Sequence, residues 1–125
     1  MRCMAYIKAR YGAKRWEQAF GEICKAVWSE ERDTAQIEQL RQVLSRQFTE
    51  LETDQILTAG QSTEYKDAIK KNTQEALERG AFGAPWFWVR SAAGVEEPFF
   101  GSDRMHMIWE HLGLPWSDIK LQAKM

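Results

Sequence analysis

The feature that most constrains this chain is the absence of proline from residues 2 to 79. Proline inside a helix removes a backbone hydrogen bond and clashes with the preceding turn, so a long proline-free stretch favours continuous helices. Apolar residues recur in this stretch at helical spacing, as in Phe20, Ile23, Val27 and Trp28, and again in Ile37, Leu40, Val43 and Leu44. The sequence therefore predicts several amphipathic helices before residue 80.

Glycine and small polar residues predict where some of these helices begin and end. Gly12 predicts a break in the first helix. Thr53 is the predicted cap of a short helix that ends at Gly60. Ser62 is the predicted cap of the following helix, which should stop at Gly80 because glycine readily adopts the left-handed conformation of a helix terminus.

The pattern changes from helical to strand-like after Gly80. Residues 86–89 are aromatic and β-branched, residues 92–94 are suited to a turn, and residues 96–100 are a second short predicted strand. This order predicts a β-hairpin. A two-stranded sheet is marginal alone, and its edges expose unpaired backbone groups, so we expect pairing with a second copy in a homodimer or with another protein.

The turn at residues 101–104 should open a last helix. Its predicted core face consists of Met105, Ile108, Trp109 and Leu112, and Gly113 and Pro115 should end it. The predicted fold class is α+β and mostly helical. We expect a helical part over residues 1–80, a ββα part over residues 81–116 and a tail over residues 117–125.

Charge and cysteine content exclude several classes of function. The formal net charge is -1 with no basic stripe, which argues against a nucleic-acid partner, and no apolar stretch is long enough to span a membrane. Cys3 and Cys24 form no CxxC motif and no metal-binding cluster, so we expect no metal and a cytoplasmic location. We expect both thiols to be reduced, and a disulfide between them is the alternative. The basic residues 1–16 leave a mitochondrial location open.

Gly83-Ala84-Pro85, just before the first predicted strand, is the first candidate binding element. A proline at this position is a candidate for a cis peptide bond. A cis bond would turn the Ala84 backbone outward, where its N–H and C=O could pair with an extended peptide ligand. The alternative is an ordinary trans proline at the start of a strand.

Ser102 and Asp103 form the second candidate binding element. Ser102 is the predicted N-cap, so its hydroxyl and the free N–H groups of the helix should converge on one point that attracts a carboxylate. Asp103 beside it can bind an ammonium group. Together the two residues suit the head group of an α-amino acid, although a capped helix with an acid in its first turn would have the same sequence.

The chain is also rich in aromatic side chains, with six tryptophans. Several aromatic residues lie in and around the predicted hairpin, where they form either part of the core or an apolar pocket for a ligand or a partner. We assign Phe82 and Trp86 to such a pocket beside the two candidate binding elements.

The two stretches Arg79–Pro85 and Phe100–Met105 resemble the C-terminal part of kappa-class glutathione transferases. These enzymes belong with 2-hydroxychromene-2-carboxylate isomerases and disulfide-bond oxidoreductases of the DsbA type. The helices before residue 80 resemble the helical insertion of that family. The resemblance implies a truncated DsbA-like thioredoxin fold, in which the helical insertion is followed by a β-hairpin and a C-terminal helix.

The resemblance also implies roles for four residues. In that family the proline is cis and the residue before it holds the cysteine part of glutathione through its backbone, which corresponds to Pro85 and Ala84. The Ser-Asp pair binds the γ-glutamyl end, which corresponds to Ser102 and Asp103. The family's thiol-activating serine or cysteine lies in an N-terminal half without counterpart here, so the catalytic residue stays unknown, with His106 as the remaining candidate.

These observations predict a small-molecule enzyme related to glutathione transferases. It would bind glutathione, an adduct or an apolar metabolite, and would catalyse a transfer, an isomerisation, or a biosynthetic cyclisation or elimination. The alternative is a non-catalytic binding or assembly subunit of the same family.

Overall fold

The computed structural model describes residues 1–117. Its elements are α1 (Arg2–Trp28), α2 (Ile37–Leu44), α3 (Glu50–Gln61), α4 (Thr63–Glu78), β1 (Trp86–Arg90), β2 (Glu96–Phe100), a 3₁₀ turn (Ser102–Arg104) and α5 (Met105–His111). The predicted α+β, mostly helical class is confirmed. Two compact units divide the chain, a helical unit over Met1–Glu75 and a hairpin unit that begins at Ala76. The tail predicted from residue 117 lies, apart from that residue, outside the described part of the chain.

Helix α1 is broken at Gly12, as the sequence predicts. Gly12 has φ +80° and ψ 177°, which are not helical angles, so residues 2–11 and 13–28 form two helical segments joined at a kink. Since φ is positive there, glycine is the residue that accommodates the kink without a steric penalty.

The predicted limits of α3 are wrong at both ends. Thr49, not Thr53, caps the helix: its hydroxyl accepts the Glu52 N–H at 3.2 Å, and the Glu52 carboxylate accepts the Thr49 N–H at 2.9 Å. Thr53 is fully buried inside the helix. Gly60 does not end α3, since the chain stays helical to Gln61. The Cys3 sulfur lies where a Cβ at Gly60 would be, so a glycine at this position allows the close approach of Cys3.

The helical unit is built around one apolar core. The buried side chains of this core are Met4, Ile7, Ala19, Leu44, Phe48, Ile56 and Leu57. Arg15 supports the core from α1: its guanidinium contacts both Glu52 carboxylate oxygens at 3.1 and 3.2 Å and lies over the Phe48 ring at 4.5 Å. These contacts hold the start of α3 against α1.

Helix α4 ends where the sequence predicts. Gly80 has φ +88°, and its N–H donates to the Leu77 carbonyl at 2.9 Å. The Ala81 N–H donates to the Ala76 carbonyl at 2.9 Å, which satisfies a second free carbonyl of the last turn. After this helix terminus, the chain continues as the loop that precedes β1.

The predicted hairpin is confirmed. Strands β1 and β2 are antiparallel, and their register runs from the Trp86–Phe100 pair to the Arg90–Glu96 pair. At the turn, the Gly94 N–H donates to the Ser91 carbonyl at 2.9 Å, and Gly94 has φ +82°. The Trp86–Phe100 pair is therefore at the end of the hairpin farthest from its turn.

Helix α5 packs on the hairpin through a smaller face than the sequence predicts. Ile108 is buried, but Trp109 is 43% exposed, so its assignment to the core is wrong. His111 anchors the other end of the helix, with Nε2 at 3.1 Å from the Val95 carbonyl oxygen and its ring 5.6 Å from that of Phe99. None of the helices within residues 1–117 is long and apolar enough to cross a bilayer.

Candidate functional site

The loop before β1 is joined to the turn after β2 by a backbone hydrogen bond. The Ala84–Pro85 peptide bond is cis, and the Pro85 carbonyl accepts the Gly101 N–H at 3.0 Å. This bond continues the pairing of the strands beyond Trp86 and Phe100. It places the two predicted binding elements side by side at one end of the hairpin.

Aromatic side chains pack around this end of the hairpin. The Phe100 ring lies against the Gly83 backbone, because a Cβ at Gly83 would be 2.7 Å from the ring carbon Cε2. The Phe82 ring is 4.7 Å from that of Phe100 and is 77% exposed, whereas Trp86 is half-buried and stacks on Trp88 at 5.9 Å. Phe82 therefore presents an apolar surface beside the Ala84–Pro85 peptide.

The Ala84 backbone is available to a ligand. Within residues 1–117, neither its N–H nor its C=O forms a hydrogen bond, and the residue is exposed. A residue whose N–H and C=O are both free, next to the end of a strand, can pair with another extended chain, as in strand addition. The ligand-holding role that the resemblance implies for the Ala84 backbone stays a prediction.

Ser102 is not the N-cap that the sequence predicts. Gly101, with φ +99°, ends β2, and Ser102 is the first residue of the 3₁₀ turn, which has no side-chain cap. Helix α5 begins only at Met105 and spans seven residues. Because the chain turns at Gly101 before any α-helical turn forms, the Ser102 hydroxyl and the free N–H groups of α5 do not converge as expected.

The Asp103 carboxylate lies over the Gly101 backbone. A Cβ at position 101 would collide with Asp103 Oδ1, so the carboxylate would have to move, and the positive φ favours glycine there. Asp103 is exposed, and no cation within the described residues pairs with it. Its carboxylate is therefore free to accept hydrogen bonds from a ligand amine.

Ser102 and Asp103 open into a groove of about 460 Å³. The groove is lined by Ser102, Asp103, Met105, His106, Trp109, Trp116 and Ser117. The His106 ring lies 5.3 Å from the Trp116 ring at an interplanar angle of 50°. The structure thus brings three predicted site residues, Ser102, Asp103 and His106, together in what we call the Asp103 groove.

Four lining residues of the Asp103 groove, Met105, Trp109, Trp116 and Ser117, are absent from the sequence-based prediction of the site. Trp109 is predicted there as a core residue, and Trp116 is not assigned a role. The available signal is the spacing of His106 and Trp109, since residues three apart share a helix face. Phe82 and Trp86, the predicted apolar pocket, are not among the residues that line this groove.

The Cys3 thiol is not an activated nucleophile. Burial raises the pKa of the Cys3 thiol, and the charges of the chain terminus and Arg2 offset this only in part. A raised pKa keeps the thiol protonated and unreactive near neutral pH. Among residues 1–117, no three histidine, cysteine, aspartate or glutamate side chains are grouped so that they could hold a metal ion.

Comparison with known proteins identifies the family of this fold. The model of the family described as DSBA-like thioredoxin domain matches residues 1–113 of this chain. Glutathione S-transferase kappa 1 of Homo sapiens is 31% identical over 101 residues, which are 80% of this chain and 44% of that protein. Glutathione S-transferase kappa 2 of Caenorhabditis elegans is 35% identical over 66 residues, 52% of this chain and 29% of that protein. The chain therefore spans less than half the length of these relatives.

Proposed function

Because this chain belongs to the DSBA-like thioredoxin domain family, we propose that it binds glutathione or a glutathione adduct at the end of the hairpin. One observation carries the proposal: the hydrogen bond from the Gly101 N–H to the Pro85 carbonyl, 3.0 Å long, joins the two predicted binding elements. The similarity to proteins named glutathione S-transferase kappa supports glutathione as the ligand.

Each element offers chemistry suited to one part of glutathione. The free N–H and C=O of Ala84 would pair with the peptide-like cysteinyl part in the manner of an added strand. The Asp103 carboxylate would accept hydrogen bonds from the γ-glutamyl ammonium, and the Ser102 hydroxyl would donate to the neighbouring carboxylate. Ser102 would act through its side chain alone, without the support of a helix N-terminus.

We further propose that the bound adduct undergoes a glutathione-dependent transfer, elimination or isomerisation. His106 is assigned the proton-transfer role, because it lies in the Asp103 groove and imidazole is the side chain that most readily exchanges a proton near neutral pH. The aromatic side chains around the hairpin end would exclude water from an apolar substrate.

Calorimetric titration of glutathione into the purified full chain tests the proposal. We expect binding to the unchanged chain and a loss of about tenfold or more in affinity for Asp103→Asn, which removes the charge that pairs with the ammonium. The matched control is Asp67→Asn, an exposed acid on α4, which should bind as tightly as the unchanged chain. Absence of binding at millimolar glutathione, or equal binding by both variants, would overturn the proposal.

A second candidate function is assembly through the outer edge of β1. The edge of β2 contains the exposed residues Glu96, Glu97 and Pro98, and charges and proline discourage the addition of another strand. Strand β1 has the sequence WFWVR, which contains no proline and no acidic residue, so its edge is the better candidate for pairing. We propose that a strand of a second copy pairs with β1 in a homodimer. Val89→Lys places a charge on that edge opposite Glu97, which preserves the hairpin by cross-strand attraction.

Sedimentation equilibrium measures this assembly directly. The unchanged chain and the control Val95→Lys, in the exposed turn, should be dimeric, and Val89→Lys should be monomeric. A monomeric unchanged chain would exclude this pairing without affecting the glutathione proposal.

A further inference from the structure

The Asp103 groove is lined by two indole rings as well as by the Asp103 carboxylate. The carboxylate alone would suffice to bind the amino end of glutathione, so the indole rings are available to another part of a ligand. We propose that this groove binds an organic ammonium ion, a cation carried on an apolar alkyl or aryl body. The proposed ligand would share Asp103 with the glutathione site, but its binding does not depend on that of glutathione.

The charge of the groove favours a cation. Among the lining residues that lie within residues 1–117, Asp103 is the sole carboxylate and none is a lysine or arginine, and no cation in that part of the chain pairs with Asp103. An anionic ligand would meet this uncompensated charge, whereas an ammonium group would be attracted to it. The sign of the ligand charge therefore follows from the lining.

The walls of the groove favour a cation with an apolar body. Trp109 and Trp116 are 43% and 46% exposed, so about half of each indole side chain is accessible. The indole face attracts cations more strongly than the other aromatic rings do, and one such contact contributes about 0.5 to 2 kcal/mol depending on desolvation. A compact metal ion would leave these faces unused, but alkyl groups around a nitrogen would contact them.

The arrangement and size of the walls suit a small organic molecule. The contact between the His106 and Trp116 rings, 5.3 Å apart, positions one wall, and the flexible Met105 thioether can adapt to the shape of the ligand. The volume of about 460 Å³ falls in the range of small-molecule sites. The groove thus combines a counter-charge, π faces and adequate room.

Two probes of the same shape, one charged and one neutral, distinguish the contribution of the positive charge to binding from that of the apolar groups. Choline would be compared with its uncharged carbon analogue, in which a tert-butyl group replaces the trimethylammonium group. Binding to the full chain would be followed by calorimetry and by chemical shifts of the indole N–H groups. We expect choline to bind about tenfold more tightly than the analogue, because both the carboxylate and the π faces act on its charge.

Variants identify the groove as the place of binding. Asp103→Asn should reduce choline affinity by about tenfold, and Trp116→Leu, which keeps an apolar side chain without the π face, should reduce it by about threefold to tenfold. The control Trp28→Leu, at an 82% exposed indole in the helical unit, should leave affinity unchanged. Circular dichroism would establish that each variant is folded.

Each other outcome overturns the proposal. Equal binding of the two probes would show that charge is not recognised, and equal losses in Trp116→Leu and Trp28→Leu would show that binding is not in the groove. The result is independent of glutathione: choline binding that requires Asp103, without glutathione binding, would reject the proposed function alone. Glutathione binding without choline binding would reject this inference alone.

Discussion

Gly101 is the single residue on which the geometry of the candidate site most depends. Its N–H donates to the Pro85 carbonyl at 3.0 Å, and its φ of +99° ends β2. The Asp103 carboxylate occupies the space where a Cβ at position 101 would lie. One glycine therefore determines how the two binding elements meet.

Replacement of Gly101 by alanine should weaken both folding and ligand binding. We expect Gly101→Ala to lower the free energy of unfolding by about 1 kcal/mol or more, since a positive φ is costly for a residue with a Cβ. It should also weaken glutathione binding, because Asp103 must move. Urea unfolding and calorimetry would measure the two effects.

The matched control for this substitution is Gly21→Ala. Gly21 lies inside α1 with open space around its Cβ position, so alanine should raise stability by about 0.5 to 1 kcal/mol. Equal effects of the two substitutions would show that Gly101 has no special backbone role.

Glu52 links folding stability to pH in the helical unit. Hydrogen bonds from the Arg15 guanidinium, followed by the Thr49 backbone N–H, lower the pKa of the Glu52 carboxyl below its ordinary value. A carboxyl whose pKa is lower in the folded state contributes stability above its unfolded pKa. That contribution is lost as the pH falls through the folded pKa.

We therefore expect the stability difference between the unchanged chain and Glu52→Gln to depend on pH. The unchanged chain should be more stable at neutral pH, and the difference should shrink steadily in acid as Glu52 becomes protonated. Urea unfolding from neutral pH to strongly acidic pH measures this. Glu50→Gln removes a carboxylate from the same helical turn without breaking a contact to Arg15, and a similar pH-dependent loss there would contradict the assignment.

Among the elements, α5 depends on His111 for its attachment to the hairpin. The His111 side chain is 11% exposed, its Nε2 lies 3.1 Å from the Val95 carbonyl oxygen, and its ring packs on Phe99. Ile108 is the other buried contact of this helix. Since α5 carries His106 and Trp109, its attachment positions one wall of the Asp103 groove.

Removal of the His111 ring should loosen the hairpin locally. We expect His111→Ala to raise the hydrogen-exchange rates of amides in β2 by about tenfold, which corresponds to the loss of one hydrogen bond and its packing. Glu110→Ala, at an exposed neighbour on α5, is the control and should leave these rates unchanged. Unchanged exchange in His111→Ala would mean that Ile108 alone holds the helix.

Across the whole molecule, burial is concentrated in the helical unit. Nine buried apolar side chains belong to residues 1–75, and within the described residues of the hairpin unit only Phe99 and Ile108 are buried. Buried apolar area is the main source of stability, so the two units should differ in resistance to opening.

Hydrogen exchange in the native chain should reveal this difference. We expect amides around Ile7 and Ile56 to be protected longer than those of β1 and β2. Ile56→Ala should lower the free energy of unfolding of the helical unit by about 2 to 5 kcal/mol, whereas Leu51→Ala, at a 69% exposed position, should cost far less. Uniform protection over both units would contradict the prediction.

The sequence by itself determined the element order, the break at Gly12, the end of α4 near Gly80 and the hairpin. These features depend on hydrophobic periodicity and on glycine and turn residues, which act over a few positions. The start of α3 was also encoded locally, because Thr49 and Glu52 have the spacing of a reciprocal cap that the prediction placed at Thr53.

Only the tertiary structure decided the features that join distant residues. The glycine at position 60 of α3 leaves room for Cys3 of α1, whose sulfur occupies the space where a Cβ would lie. Ser102 is not a cap because the chain turns at Gly101, whose N–H donates to the Pro85 carbonyl, much earlier in the sequence. Trp109 lines the Asp103 groove together with Trp116, which lies beyond the end of α5. Side chains far apart along the chain become neighbours only through packing, so local patterns contain the residues of this site but not their arrangement.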